Sequence, residues 1–336
     1  MATTQQQPLY IGIDGGGSKC KVVLVDAAGT VLGEGMGGPA NPLRGLDVAI
    51  SSMTTAVDAA LQQALSQHKV QGTMAALHAR LVVGAGLAGV NIPHYLTAMQ
   101  QWQHPYAALY LTTDLHVACL GAHQGADGAV MIAGTGSCGL AAVAGQCLSI
   151  GGYGFPASDN GSGAWFGMQA LRAVLHDLDG MGAETLMTSA CLAQHQISTN
   201  AVAIAQQIEP QAGANTEAAI QLATIYMHAT PTQFARLAPI VFDAAEQGDS
   251  VARTIIDAGA AELMAIAQRL MQLSPPRLSM IGGIAPRIYP YLSTTMQQWL
   301  QPSLATPELG AVFFAKAQHH ATSGNHSPIQ QAESHV

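Results

Sequence analysis

The sequence is poor in charged residues, and above all in basic ones. Only 10% of its 336 residues are charged, and 12 Lys and Arg against 20 Asp and Glu give a net charge of −8. Proteins that bind nucleic acids present a basic surface to the phosphate backbone, so a nucleic-acid partner is not expected. The sequence also lacks a run of about 18 apolar residues, so no membrane-spanning helix and no membrane partner are predicted.

Cysteine is equally scarce. The five cysteines are odd in number and include no C-x-x-C pair, so neither a disulfide framework nor a zinc site is indicated. The first residues, Met1–Pro8, carry neither the basic segment nor the apolar core of an export signal. Both features favour a cytoplasmic protein.

Glycine, by contrast, is abundant, and three glycines follow one another within Leu9–Asp26. An apolar strand leads to Asp14, the glycines and Ser18, and a second apolar strand begins at Lys21. Walker A loops and dinucleotide fingerprints continue into a helix instead, which excludes both. Clustered backbone N–H groups bind phosphate, and Asp14 fits beside phosphate only with a divalent cation between them. The segment predicts a phosphate-binding hairpin, with an ordinary glycine-rich hairpin as the alternative.

A second segment, residues 128–144, repeats this pattern of strand, glycine and hydroxyl turn, and strand. Ile132–Ser137 echoes Ile13–Ser18, with Ala133 in the place of Asp14. The repeat predicts a fold of two similar halves, each of which offers one hairpin to the same polyphosphate. Only the first half keeps the carboxylate for a metal.

Asp114 stands between the apolar strand of residues 107–113 and a helix at residues 115–121. The carboxyl end of a strand is the usual ligand-binding edge of an α/β sheet. Aspartate also caps helices well. The residues alone therefore leave a catalytic role and a capping role open.

The remaining elements follow from apolar periodicity and from glycine and proline breaks. A glycine-rich loop at residues 151–163 is expected to be functional, because long irregular segments within a compact domain usually are. Further predicted elements are a strand at residues 30–36, a strand that runs into a small-residue loop within residues 80–89, and a strand that ends in a Gly-Gly turn within residues 277–286. Helices are predicted at residues 45–67, 95–102, 164–178 and 307–317, with mostly helical structure over residues 184–273.

Together these segments resemble the sugar kinase, actin and Hsp70 ATPase superfamily, and within it the BadF/BadG/BcrA/BcrD-type ATPases and N-acetylglucosamine kinases. The matching motifs are a first phosphate loop, a second phosphate loop and an adenosine loop. They comprise Gly15, Gly16, Gly17, Ser18 and Lys19, then Gly134, Thr135, Gly136 and Ser137, then Gly282, Gly283 and Ile284. Thr113-Asp114 matches the position of the family's catalytic aspartate.

This resemblance implies an α/β, two-domain actin-like ATPase fold of the ribonuclease H-like type, with a duplicated core and an interdomain cleft. The N-terminal domain would comprise residues 8–115 and 306–320, and the C-terminal domain residues 116–305 with helical additions. Residues 321–336 would form a disordered tail. The helix at residues 307–317 would pack back on the N-terminal domain, with close backbone approach at Gly310 and Ala311.

Within the family the likeness is to bacterial amino-sugar kinases, which implies ATP-dependent phosphorylation of a sugar 6-hydroxyl by a cytoplasmic homodimer. Asp114 would be the catalytic base, and Asp14 would hold Mg²⁺ through water. The sugar would contact Asn41, Asp114, Thr135, Gly152, Tyr153 and Asp159. Phe155–Asp159 is similar to the loop of the glucosamine-specific branch, whereas Asn160 replaces a family glutamate. Glucosamine is therefore slightly favoured over N-acetylglucosamine.

Two other functions stay open at this point. An ATPase that activates a partner enzyme would resemble the activators of radical dehydratases, which carry an iron–sulfur cluster on clustered cysteines. The dispersed cysteines here disfavour it. A non-catalytic sugar sensor has no need of Asp14 and Asp114, and both are present.

Overall fold

The computed structural model describes residues 7–198 and 210–323. It divides into two compact units, the first formed by residues up to Gly128 and from Ser303 onward, the second by Ala129–Pro302. No helix within these described ranges is both long and apolar enough to cross a membrane.

The elements of the first unit, in chain order, are β1 (Leu9–Gly15), β2 (Cys20–Val25), β3 (Val31–Gly37), α1 (Leu46–Ser66), α2 (Met74–His78), β4 (Leu81–Leu87), α3 (Pro93–Gln100), β5 (Ala108–Thr113) and α4 (Asp114–Ala122). Those that follow are β6 (Gly128–Ala133), β7 (Ser137–Val143), β8 (Gln146–Gly151), α5 (Gly163–Leu178), α6 (Leu186–Gln194), α7 (Pro210–Tyr226), α8 (Pro231–Ala235), α9 (Ala238–Glu246), α10 (Ser250–Leu270), β9 (Leu278–Ile281), α11 (Ala285–Ile288) and α12 (Thr294–Trp299). The chain then returns to the first unit as α13 (Pro307–Ser323). Short 3₁₀ turns occur at Pro42–Arg44, Met271–Leu273 and Tyr289–Tyr291.

The first unit is built on a five-stranded sheet in the order β3-β2-β1-β4-β5. β1, β2 and β3 form an antiparallel meander, and β4 and β5 continue parallel to β1. Side chains alternate between the faces of a strand. Ile11 and Ile13 accordingly join the buried cluster that contains Met53 and Leu61 of α1, whereas Tyr10 packs on the opposite face with Val312 of α13.

α13 lies directly on the backbone of its neighbours. A Cβ at Gly12 would overlap the carbonyl oxygen of Glu308, and one at Gly84 would overlap that of Ala311. On the other side of the helix, a Cβ at Gly310 would overlap the carbonyl oxygen of Val117 in α4. The close approach predicted at Gly310 and Ala311 is thus observed.

This packing explains where the observed units divide. Because α4 lies against α13, residues 116–128 stay with the first unit, whereas the sequence assigned them to the second. The chain before α13 is tied to the end of α4 as well, since Leu304 N donates to Ala122 O at 3.1 Å and Ala305 N to Gly121 O at 3.0 Å.

The second unit repeats the architecture of the first. Its four-stranded sheet has the order β8-β7-β6-β9, which matches β3-β2-β1-β4. β7 and β8 are antiparallel and β6 and β9 are parallel, like their counterparts. β8 was not predicted from the sequence, although the repeat requires a counterpart to β3. The predicted duplicated core is therefore present in the topology.

Helices fill much of the second unit, as the alanine-rich sequence predicted. Phe166, Val174, Phe242 and Leu263 contribute large buried side chains to its core. Of the segment predicted to be helical, residues 199–209 lie outside the described residues. The predicted tail begins within α13, which extends to Ser323, and residues 324–336 likewise lie outside the described part of the chain.

Candidate active site

In the first unit, Asp14 and Asp114 lie at the same edge of the sheet. Gly86 of β4 pairs with Asp14 on one side and with Thr112 on the other, and Asp114 directly follows β5. Because β1, β4 and β5 run parallel, their carboxyl ends lie together, and this edge is where ligands bind in α/β sheets. The sequence predicted both residues for the site, and the structure groups them within one unit.

The pKa of Asp14 is raised to about 6, first by burial and then by the negative charge of Asp114. The charge of Glu308 raises it further, while Lys21 and Lys19 lower it. Glu308 lies in the first turn of α13 and was missed by the sequence analysis, which assigned no role to that helix beyond packing. The charges of Asp114 and Glu308 thus both act on Asp14 at this edge.

These carboxylates do not form a complete metal cage. Among the described residues, no group of three or more His, Cys, Asp or Glu could hold a metal ion by itself. Mg²⁺ is typically bound by one or two carboxylates, several waters and substrate phosphates. A single partly buried Asp14 whose ionisation is opposed by its neighbours fits that mode of binding, since a cation would offset the repulsion.

The turn after Asp14 presents open backbone. Gly16 N donates to Lys19 O at 3.0 Å, which closes the hairpin, and Ala40 N donates to Gly16 O at 3.0 Å. A Cβ at Gly15 would lie 2.5 Å from Leu87 Cδ2, whereas one at Gly17 would meet nothing within 4 Å. Gly15 is therefore needed for packing, and Gly17 leaves space in which a ligand can approach the backbone.

Asp114 is not the cap of its helix. Thr113 is the N-cap of α4, and its Oγ1 accepts from His116 N at 3.1 Å. Asp114 occupies the first helical position and accepts from Leu115 N at 2.8 Å. Burial raises the pKa of Asp114 above its usual value, although backbone hydrogen bonds lower it. The capping role that the sequence left open is thus filled by Thr113.

Asn41 is the N-cap of the 3₁₀ turn that follows β3. Its Oδ1 accepts from Leu43 N at 2.9 Å. A Cβ at Gly89 would lie 2.6 Å from that same oxygen. The carbonyl end of Asn41 is thus held by its own unit, so the amide NH₂ is the end suited to donate to a ligand.

In the second unit, the predicted phosphate turn between β6 and β7 is held from two sides. Gly134 N donates to Gly136 O at 3.0 Å, as Gly16 N does to Lys19 O in the first hairpin. The start of α5 anchors the turn, because Gly163 N donates to Gly134 O at 2.7 Å and Ala164 N to Thr135 O at 3.1 Å. Thr135 is exposed.

Ser137 is buried and serves the neighbouring loop. Its Oγ donates to Asn160 O at 2.7 Å, and its N–H donates to the carboxylate of Asp159. The sequence predicted Ser137 as a phosphate contact, but both of its polar groups are engaged by the loop that follows β8.

That glycine-rich loop needs its glycines for conformation. Gly152 and Gly154 have φ angles of 76° and 98°, which side chains disfavour. Asp159 also has a positive φ, 67°, and accepts hydrogen bonds from Ser137 N and Gly154 N. Tyr153 stays 85% exposed. Among the predicted sugar contacts on this unit, Tyr153 is thus open to solvent, while Asp159 faces the phosphate turn.

The predicted adenosine loop lies beside the same turn. Ile284 N donates to Ala133 O at 2.9 Å, and a Cβ at Gly282 would overlap the Ala133 carbonyl. A Cβ at Gly283 would meet nothing within 4 Å. Gly282 and Ile284 therefore fix the loop against β6, and Gly283 is the position with open space.

Comparisons with known proteins identify relatives of this chain. The chain is 32% identical over 311 residues to the glucosamine kinase GspK of Vibrio cholerae, which covers 93% of this chain and 97% of that protein. It is 27% identical over 262 residues to the N-acetyl-D-glucosamine kinase of Dictyostelium discoideum, with 74% of each chain covered.

A solved structure from Chromobacterium violaceum, provisionally named an N-acetylglucosamine kinase, superimposes with a TM-score of 0.78 at 28% identity. The superposition covers 92% of this chain and 99% of the chain from Chromobacterium violaceum. The predicted α/β fold of the actin-like ATPase type is confirmed. Since the match to the family extends over residues 11–315, this chain belongs to the BadF/BadG/BcrA/BcrD ATPase family.

Proposed function

We propose that this protein is an ATP-dependent kinase that phosphorylates the 6-hydroxyl of an amino sugar, with glucosamine preferred over N-acetylglucosamine. The observation that carries the proposal is the placement of Asp114. It is partly buried at the carboxyl end of β5, another residue caps its helix, and Asp14 is close enough for their charges to interact.

Phosphoryl transfer requires positioning and charge stabilisation more than covalent chemistry by the protein. Asp114 would accept the proton of the attacking 6-hydroxyl. The raised pKa of Asp114 makes its carboxylate a stronger base than that of an exposed aspartate. The N–H groups of Gly17 and Ser18 would bind phosphate oxygens from the first unit.

The second unit would bind the nucleotide through Thr135, Gly136 and Gly283. Thr135 and Gly136 adjoin the anchored part of the turn, and within the described residues their N–H groups donate no backbone hydrogen bond. Mg²⁺ held by Asp14 through water would neutralise charge on the phosphate groups. Lys19 is exposed at the tip of the first turn and would add a positive charge there.

For the sugar, we propose the NH₂ of Asn41, the backbone at Gly152, the ring of Tyr153 and the carboxylate of Asp159. A carboxylate has about four acceptor positions, so the two N–H bonds of Asp159 leave room for a sugar donor. The preference for glucosamine is supported by the likeness to the relative named glucosamine kinase and by this acceptor, because a cationic amine favours a carboxylate.

The experiment that tests the proposal is an assay of purified protein with MgATP against glucosamine, N-acetylglucosamine, glucose and no sugar. The expected result is ADP release that depends on an amino sugar, with the 6-phosphate as product. ADP release without any sugar would favour an ATPase that activates a partner. Sugar binding without turnover would favour a sensor.

A further inference from the structure

Asp159 has a position that a sugar ligand alone does not require. Its carboxylate accepts the N–H of Ser137, which is the last residue of the phosphate turn, as well as the N–H of Gly154. A Cβ built on Gly136 would lie 2.8 Å from Asp159 Oδ2, so the carboxylate rests directly on the backbone of the turn. Glycine at position 136 is what allows this contact.

The same loop holds the turn through a second bond. Ser137 Oγ donates to Asn160 O at 2.7 Å in a partly buried position, and the backbone of Asp159 adopts a positive φ of 67°. A non-glycine residue in this conformation is uncommon and costs free energy. The loop therefore adopts a strained backbone at the residue whose side chain reaches the turn.

α5 fixes the opposite side of the turn. Gly163 N and Ala164 N donate to the carbonyl oxygens of Gly134 and Thr135, which directs those two carbonyls toward the helix. With the carbonyls held by α5 and Ser137 held by the loop, the orientation of the N–H groups at Thr135 and Gly136 is determined from both sides. Those N–H groups are the phosphate donors of the proposed function.

We propose that Asp159 is a positioning residue for the nucleotide, which acts by orienting the turn Gly134–Ser137, in addition to any contact with the sugar. This inference rests on the proposed function only in taking that turn as the phosphate site. The ligand involved is a nucleoside di- or triphosphate with Mg²⁺, and the loop that faces the sugar thereby contributes to nucleotide affinity.

Asp159 could instead weaken nucleotide binding. A negative charge beside a phosphate site repels phosphate, and the bond to Ser137 N could occupy a donor that phosphate would use. If that competition dominated, removing the charge of Asp159 would tighten nucleotide binding. If Asp159 orients the turn, removing it weakens binding.

The test is calorimetric titration of the full chain with MgADP in the absence of sugar, for wild type and Asp159→Asn. The expected result is a Kd about tenfold higher in the variant. An unchanged or lower Kd would overturn the proposal. Asp179→Asn, an exposed aspartate at the end of α5 in the same unit, is the matched control and should leave the Kd unchanged.

A second variant covers the case in which Asp159→Asn fails to fold. Ser137→Ala removes the hydroxyl bond to Asn160 and leaves every carboxylate in place, and it should also raise the Kd for MgADP, by about threefold. Unchanged affinity in this variant would count against the proposal too.

Kinetics add a readout that separates this inference from the proposed function. Asp159→Asn should raise the KM for ATP and not only the KM for the sugar, whereas a residue that contacts sugar alone would change only the latter. Wild-type protein that binds MgADP but phosphorylates no sugar would contradict the proposed function and leave the titration test intact. Wild-type protein that does not bind MgADP would overturn both.

Discussion

Asp114 and Asp14 flank β4 at one edge of the first sheet, and the negative charge of Asp114 raises the pKa of Asp14. Burial is the larger cause of the shift to about 6. Two carboxylates with different surroundings can take different roles. In the proposed reaction, one accepts a proton and the other holds a cation.

Replacing Asp114 tests the role of the base. Asp114→Asn keeps the size of the side chain and removes its ability to accept the proton, so kcat should fall by about 100-fold or more. The KM for ATP should change little, because Asp114 is proposed to contact the sugar. Steady-state kinetics check this, with the exposed Asp179→Asn as a control that keeps normal turnover. Near-normal turnover of Asp114→Asn would leave Asp114 a structural role only.

Asp14 should destabilise the protein when it is ionised and no cation is present. Its pKa is raised from 3.8 to about 6, so the folded state binds the proton more tightly than the unfolded state does. Stability from this group is therefore present below about pH 4 and lost as the pH rises through 6. At neutral pH the cost is at most about 3 kcal/mol.

Asp14→Asn should accordingly raise the unfolding midpoint at pH 7 in the presence of a chelator. The difference from wild type should shrink as the pH is lowered toward 4. Urea denaturation at several pH values measures it, with Asp47→Asn, which is exposed in the first turn of α1, as control. If Asp14→Asn were less stable than wild type at pH 7, the prediction would be contradicted. Asp14→Asn should in addition lose Mg²⁺-dependent turnover.

Asp249 supports the second unit without any role in the site. It caps α10 by accepting from Ala252 N at 2.8 Å, and it also accepts from Thr185 Oγ1 at 2.7 Å and Leu186 N at 2.6 Å. Although burial alone would raise the pKa of Asp249, these bonds lower it. Asp249→Asn should cost about 1.5–3 kcal/mol of stability at neutral pH, with less effect once acid has protonated the wild-type carboxyl.

The matched control for that variant lies on the same helix. Asp257 forms an exposed pair with Arg253 at 2.9 Å, and exposed pairs contribute about 0–1 kcal/mol. Asp257→Asn should therefore be almost neutral in urea denaturation. If Asp249→Asn and Asp257→Asn lost equal free energies of unfolding, the bonds to Thr185 and Leu186 would contribute little to stability.

Gly310 tests the packing of α13 on α4. An alanine there would place its Cβ on backbone atoms of Val117 and Gly121, which cannot move aside as a side chain can. Gly310→Ala should destabilise the protein by about 1–3 kcal/mol. Gly283→Ala is the control, because a Cβ there meets nothing within 4 Å, and it should leave the unfolding midpoint unchanged. A similar loss of stability in both variants would argue against the packing explanation.

The sugar preference is decided by the ratio of kcat/KM for glucosamine and N-acetylglucosamine. We expect the ratio to favour glucosamine. Asn160→Glu would add a carboxylate to the loop and should raise the ratio further, because a cationic amine gains from negative charge and a neutral acetamide does not. A wild-type ratio of about ten or more in favour of N-acetylglucosamine would contradict the preference.

Much of the fold could be predicted because its signals are local. The two hairpins follow from glycines between apolar strands, and α1 and α5 follow from apolar spacing. β8 was missed because its residues are mostly exposed or partly exposed, so hydrophobic alternation is weak. The internal repeat could have supplied it as the counterpart of β3.

The site was harder to predict where side chains act across loops. The sequence offered Asp114 as either base or cap, and only coordinates show that Thr113 makes the cap. It placed Ser137 with the phosphate and Asp159 with the sugar, yet these two residues bond to each other. Asp159 makes that contact from a backbone with a positive φ, which no spacing rule predicts for an aspartate.

The return of α13 to the first unit has a consequence for how the protein is made on the ribosome. Residues 129–302 are translated between α4 and the helix that covers Gly12, Gly84 and Tyr10. While the second unit is being synthesised, the nascent first sheet must therefore expose one apolar face. The strands of the first unit can pair early, but the packing of the first unit is complete only after α13, which ends at the last described residue, has been translated.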